Sequence, residues 1–344
     1  MMDDILFERR GAAGIITLNR PKVLNALNHG MIRSIREALD AWGDDDSIGA
    51  VILCGEGERA FCAGGDIRMF HASAVAGDRA AEDFWFDEYS LISYIHHYPK
   101  PHLALLHGIT MGGGLGIAVP GTFRVGAENL VYAMPETGIG FFPDVGASYF
   151  LSRAPGLTGL YMAMSGARAK QADALYLGLI THVLPQKKWP DFIDALASGD
   201  EVGDLLRRAR SAGLESAIEK QRGVIDAAFA APNVEGVLSA LDRNNTAFAR
   251  ETAAMIRSRS PLSVKVAFHA WHAGRTLDFD ACMQMEYRVA CRIKRLPDFR
   301  EGIRATVIDK DNNPKWAAAL GAVTDAEVEA CFAPLPEGEL AVSS

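Results

Sequence analysis

Along the first half of the chain, short apolar runs alternate with glycine-bearing turns and brief stretches of helical spacing. Residues 15–18 read as a strand folded back on residues 5–7 across a turn at 11–14. From about Asn28 to Gly43 the spacing turns helical, with Ile32, Ile35 and Leu39 on one face. Three later segments share a plan: AVILCGEGERAFCAGGDI, HLALLHGITMGGGLGI and FRVGAENLVYAMPETGIG. Each runs from an apolar strand through a turn to a small-residue or glycine-bearing bend leading toward a helix, the order expected of stacked strand–strand–helix units. Past about Lys187 strand-like runs nearly vanish. There Ser260-Pro261 predicts a capped helix start closed by Gly274, and the next helix sets Phe279, Met283, Ala290 and Ile293 on one face. The pattern predicts an α/β core over residues 1–187 that carries the active site and a helical subdomain over residues 188–344.

Composition narrows the function classes. A formal net charge of -8 argues against a nucleic-acid partner, since phosphate backbones are held by clustered Lys and Arg. Cys54, Cys62, Cys282, Cys291 and Cys331 are scattered and form no CxxC pair, so they read as core thiols of a reducing compartment rather than a disulfide framework or a zinc site. The start, MMDDILFERRG, is acidic at once and lacks signal- or transit-peptide character, which points to the cytoplasm. The long uncharged stretch at 102–121 contains glycines, a proline and His107, which argues against a membrane span and for a buried strand followed by a glycine loop.

Two glycine-rich bends, FCAGGDI (61–67) and HGITMGGGLG (107–116), follow apolar strands. Glycine there lets peptide N–H groups point at one substrate oxygen, and such a donor is worth about 2.7–4 kcal/mol of barrier in known enzymes. The same glycines also serve plain turns or tight packing. In MPETGIGFFPDVGASYFLSRAPG (134–156), Glu136 and Asp144 stand either side of a Gly/Phe-rich turn. They fit two carboxyls converging on one pocket for acid–base work, but on spacing alone a first-turn acid and a helix cap come first, since caps far outnumber catalytic pairs. No His/Cys/Asp/Glu spacing suits a metal, and no phosphate-binding glycine motif is present. Asp309 to Asn313 resembles the start of a calcium loop, but Pro314 stands where that loop needs glycine.

In this order and at these separations, FCAGGDI, HGITMGGGLG and PETGIGFFPDVG resemble the crotonase (enoyl-CoA hydratase/isomerase) family. The resemblance implies an α/β spiral of repeated β-β-α units with C-terminal helices. The PDVG element, together with MEYRVACRIKRLPDFREGIRATVIDKDNNPKW (285–316), is similar to the 3-hydroxyisobutyryl-CoA hydrolase branch. Carried over by position, the resemblance implies that the Gly65 and Gly113 amides hold the thioester oxygen. Glu136 would then act on water or attack the thioester, Asp144 would handle the substrate hydroxyl or departing thiolate, and Glu88 would line the substrate pocket. An exposed helix acid is the alternative for Glu88. Gly116 stands where hydratases of the family carry a second carboxylate, a departure that favours thioester hydrolysis over enoyl-CoA hydration or isomerisation. A crotonase-like binding protein without catalysis is the other alternative. The resemblance further implies an acyl-CoA substrate, no metal or redox cofactor because coenzyme A arrives with the substrate, and assembly into a trimer or hexamer. Arg20, Lys22 and Arg68 stand near the early motifs as candidates for the CoA phosphates, with no choice among them.

Overall fold

The structure is a computed structural model and describes residues 3–208, 213–336 and 338–342; Met1 and Met2 of the acidic start lie outside the described residues. Strand β1 (Ile5–Arg10) pairs antiparallel with β2 (Ala13–Leu18), and Arg10 lies opposite Ala13, so the turn is tighter than the 11–14 expected. Helix α1 (His29–Gly43) starts where the Asn28 side chain accepts the Met31 N–H, and it buries Ile32, Ile35 and Leu39.

The three similar segments fold alike. The first gives β3 (Ala50–Gly55), β4 (Ala60–Cys62) and α2 (Ile67–Ala76), with α3 (Ala80–His96) following. The second gives β5 (His102–Leu106), β6 (Ile109–Met111) and the one-turn α4 (Gly113–Gly116); the third gives β7 (Phe123–Gly126), β8 (Val131–Ala133) and a 3-10 turn at Glu136–Ile139. The first strand of each unit joins one sheet and the second strand joins another. The larger sheet has the order β1-β2-β3-β5-β7-β10, with β10 at His182–Val183, and the smaller has the order β4-β6-β8-β9, with β9 at Arg168–Lys170. All pairs are parallel except β1 with β2 and β8 with β9. The stretch 102–121 is therefore two strands and a helical turn rather than one strand and a loop. Its glycines pack instead of merely turning: a Cβ on Gly114 would come within 2.6 Å of the Cys62 Cβ.

Because side chains alternate along a strand, the larger sheet feeds two cores. Ile16, Leu18, Val51, Leu53, Ala104 and Leu106 face one, while Ala13, Ile15, Ile52, Leu103 and Leu105 face the other. Helices α5 (Ala147–Ser152), α6 (Thr158–Ser165) and α7 (Gln171–Tyr176) precede β10. Next, α8 (Trp189–Ala197) covers the second core with Trp189, Phe192 and Leu196, and α9 to α13 occupy the stretch from Val202 to Arg257. Helix α14 (Pro261–Gly274) opens with the Ser260 hydroxyl accepting the Ser263 N–H, as its sequence predicts. Helix α15 (Phe279–Ile293) buries Phe279, Met283, Ala290 and Ile293, and α16 (Pro297–Ile303) follows. These last helices share the first core with the sheets, in one cluster that includes both Ile16 and Leu340. Among the described residues no helix is long and apolar enough to cross a membrane.

Candidate active site

Parallel pairing sets where the three bends meet. Cys62 lies opposite Thr110 and Thr110 opposite Tyr132, so β4, β6 and β8 end at nearly one level. Gly64–Gly65, Gly112–Gly113 and Pro135–Glu136 emerge side by side from the carboxyl ends of these strands, the edge where parallel sheets present ligand sites. Gly64 (φ 106°) and Gly112 (φ 49°) take the positive angles open to glycine, and each stands one residue before the amide of interest. A Cβ on Gly113 would lie 3.4 Å from the Gly65 nitrogen, which brings the two amides together. Among the described residues neither the Gly65 nor the Gly113 N–H hydrogen-bonds within the chain, leaving two donors for one acceptor.

The carboxyls converge on this pair. Glu136 opens the 3-10 turn with its Oε1 3.2 Å from where a Gly112 Cβ would stand. Glu88 reaches over from α3 so closely that a Cβ on Gly113 would overlap its Oε1. Asp144 follows the turn and accepts the Tyr89 hydroxyl at 2.5 Å. Glu88, Glu136 and Asp144 are 2%, 6% and 5% exposed, and Glu88 Oε1 and Glu136 Oε2 have no hydrogen-bond partner among the described residues. All three line one cavity of about 150 Å³ whose walls include Phe70, Trp85, Phe141 and Phe299. Trp85 stacks on Phe141 at 5.4 Å, and Phe299 comes from α16 in the C-terminal half.

Two of the bland alternatives fail here. Glu88 is not an exposed helix acid. Asp144 caps no helix, since α5 starts after Gly146 and the Asp144 side chain turns back to Tyr89. Sequence reasoning missed Tyr89 and the aromatic walls. The signal for Tyr89 lay in the i, i+3, i+4, i+7 stripe of Trp85, Glu88, Tyr89 and Ile92, in which an acid sits on a wholly apolar face. Arg20 and Arg68 are engaged by the Ala26 and Val307 carbonyls.

An apolar cavity holding three acids cannot keep them all charged. Burial, then the Asp144 charge, push both Glu88 and Glu136 well above the usual carboxylate range. Burial also raises Asp144, to about 7, with the Tyr89 hydrogen bond pulling the other way. A carboxyl raised in the folded state favours folding at low pH, and that advantage is lost as pH climbs from its unfolded value, near 3.8, through about 7. Asp144→Asn is therefore expected to melt close to wild type at pH 4 and several degrees above it at pH 8. Melting curves across this range check it; a variant that melts below wild type at pH 8 would assign Asp144 a structural role instead.

The sequence model of the enoyl-CoA hydratase/isomerase family matches residues 13–332. This chain belongs to that family. Among curated relatives, the mitochondrial 3-hydroxyisobutyryl-CoA hydrolase of Danio rerio is 41% identical over 98% of this chain and 91% of its own length. The Homo sapiens protein of the same name is 38% identical over 98% and 90%. Among solved structures, a carnitinyl-CoA dehydratase from Mycobacterium thermoresistibile superposes with a TM-score of 0.95 at 41% identity, covering 99% of both chains. An enoyl-CoA hydratase from Rhodobacter sphaeroides gives 0.93 at 37%, covering 98% and 100%. The crotonase fold and its helical C-terminal region are thus those of the family. At position 116, where the resemblance expects hydratases to carry a second carboxylate, a Cβ would stand 2.6 Å from Ile92 Cδ1 and 2.7 Å from Val145 Cβ, so Ile92 and the Asp-Val-Gly turn that carries Asp144 close the space beside Gly116.

Proposed function

We propose that this protein hydrolyses the thioester of a short 3-hydroxyacyl-CoA, 3-hydroxyisobutyryl-CoA above all, to the free hydroxy acid and CoA, a step of valine breakdown. The observation that carries the reading is the meeting of Glu136 with two unengaged amides beside a closed position 116. It is supported by relatives about 40% identical over nearly the whole chain that bear the hydrolase name.

In this reading the thioester carbonyl oxygen accepts the Gly65 and Gly113 N–H groups, which stabilise the charge that grows on it as the carbonyl carbon becomes tetrahedral. Glu136 delivers the attack, through a water it deprotonates or with its own oxygen, giving an anhydride that water then opens. Asp144 holds the substrate hydroxyl or returns a proton to the departing thiolate. Glu88, kept protonated by burial, donates to the bound acyl group. Net, one water adds across the C–S bond with no change of oxidation state, and the amides and carboxyls are assigned the stabilisation of the oxyanion and the proton transfers. Residues 1–187 carry this chemistry in our reading, and 188–344 close the pocket with Phe299. The family relationship supports assembly into a trimer or hexamer as part of the same proposal. Five unpaired cysteines suit the cytoplasm we assign it, whereas the relatives carry mitochondrial in their names.

The test is a panel of acyl-CoAs followed by two readouts, release of free thiol and loss of the conjugated enoyl absorbance. Thiol release fastest with 3-hydroxyisobutyryl-CoA and no change with crotonyl-CoA is the expected result. Hydration of the enoyl substrate without thiol release would replace this reading with hydratase activity, and inactivity in both assays would leave a binding protein.

A further inference from the structure

The segment 285–316 resembles the hydrolase branch, yet the mechanism above gives none of its acids a task. One of them is built into the site from behind. Glu286 on α15 is fully buried, among the described residues no cation acts on it, and it spends its whole carboxylate on the turn after Asp144. One oxygen accepts the Gly146 N–H at 2.7 Å; the other accepts the Ser148 N–H at 2.9 Å and the Ser148 hydroxyl at 2.5 Å. The turn needs holding, because Val145 (φ 54°) is a β-branched residue in the left-handed region, followed by Gly146 at φ 91°. Helix α5 has no side-chain cap of its own, so a carboxylate from about 140 residues downstream fills that place. Val145 in turn packs on Gly116 of α4, the helix whose first amide is that of Gly113.

We infer that Glu286 is a positioning residue for hydrolysis: by fixing the Val145–Gly146 peptides it aims the Asp144 carboxyl into the cavity and holds α4 in register. Tyr89 grips the Asp144 side chain while Glu286 grips the backbone behind it. The titratable groups facing Asp144 are then Glu88 and Tyr89 from α3, Glu136 from the 3-10 turn and Glu286 from α15. Burial first, and to a lesser degree the Asp144 charge, raise Glu286 to about 8, with its hydrogen bonds to Ser148 and Gly146 pulling the other way.

This inference rests on the proposed hydrolase reading, and Glu286→Gln tests it. The amide keeps the shape but turns one acceptor into a donor, setting N–H against the turn's own N–H groups. Measured on wild type and variant with 3-hydroxyisobutyryl-CoA at 25 °C and scaled to the folded fraction, kcat is expected to fall about tenfold to a hundredfold with KM within threefold. A kcat within twofold of wild type would reduce Glu286 to a helix cap and overturn the inference. Should the variant not fold, Ser148→Ala removes one of the three donors and is expected to lower kcat about threefold at unchanged KM; no change there would equally overturn it. A wild-type enzyme that releases no thiol would instead sink the hydrolase reading itself.

Discussion

Glu136→Gln is expected to lower kcat by about 10³-fold or more with the fold intact. Among the described residues the Glu136 Oε2 has neither partner nor solvent, and its Oε1 neighbours the glycine hinge of the second bend. Glutamine fills the same volume but can neither take a proton from water nor attack a thioester. The two amides and the aromatic walls stay in place, so KM is expected to change only a few fold, the pattern of a group that acts in the transition state. Since burial opposes the Glu136 charge, its removal also relieves the folded state as pH rises, and the variant is expected to melt at or above the wild-type temperature at pH 8. Thiol release under saturating substrate and melting curves at two pH values check both halves. A kcat within tenfold of wild type would move the attack to another group. A single turnover in ¹⁸O-water then tests the anhydride route: label in the Glu136 side chain marks an anhydride opened at the Glu136 carbonyl, whereas label only in the product acid fits an activated water or an anhydride opened at the acyl carbonyl.

Much of this site was legible because its parts follow strands of regular apolar spacing. Once three units repeat, parallel pairing forces their bends to one edge, and residues as distant in sequence as Gly65, Gly113 and Glu136 become neighbours. The order of motifs thus carried three-dimensional information that no single glycine run could. The position of the hinge was less legible. The sequence shows consecutive glycines at 64–65 and 112–114, and the backbone decides that the first of each pair bends while the second offers its amide.

Contacts from outside the repeats were the least legible. On spacing alone Asp144 looked more like a cap, because its real partner, Tyr89, lies 55 positions earlier on a helix that touches it only after folding. Glu286 is alike: an acid on an apolar helical face signals a buried partner, but nothing in the spacing names Gly146 and Ser148, which lie 140 and 138 residues away. Phe299 reaches the cavity because α16 packs backbone to backbone on the Glu136 turn, where a Cβ on Gly302 would stand 2.6 Å from the Ile139 Cα. Sequence periodicity reports which face is buried; it is silent on what meets that face.

The second large effect is expected at the amide pair itself, where side-chain deletion is impossible and an added methyl group must do the work. Gly113 sits at a helical backbone angle, so Gly113→Ala brings no backbone strain, unlike a change at Gly64 or Gly112. Its Cβ would overlap Glu88 Oε1 and stand 3.4 Å from the Gly65 nitrogen, in the space between the two donors. A thioester oxygen denied one donor is expected to lose about 10²–10³-fold in kcat/KM. Displacement of Glu88 alone could imitate that loss, and a double-mutant cycle separates the causes. In Glu88→Ala the overlapping oxygen is absent, so the methyl group has room. If Gly113→Ala still costs about 10²-fold on that background, the loss comes from the blocked oxygen site. If the double variant matches Glu88→Ala alone, the added methyl group does not block the oxygen site, and Glu88 placement becomes the reason glycine is needed there.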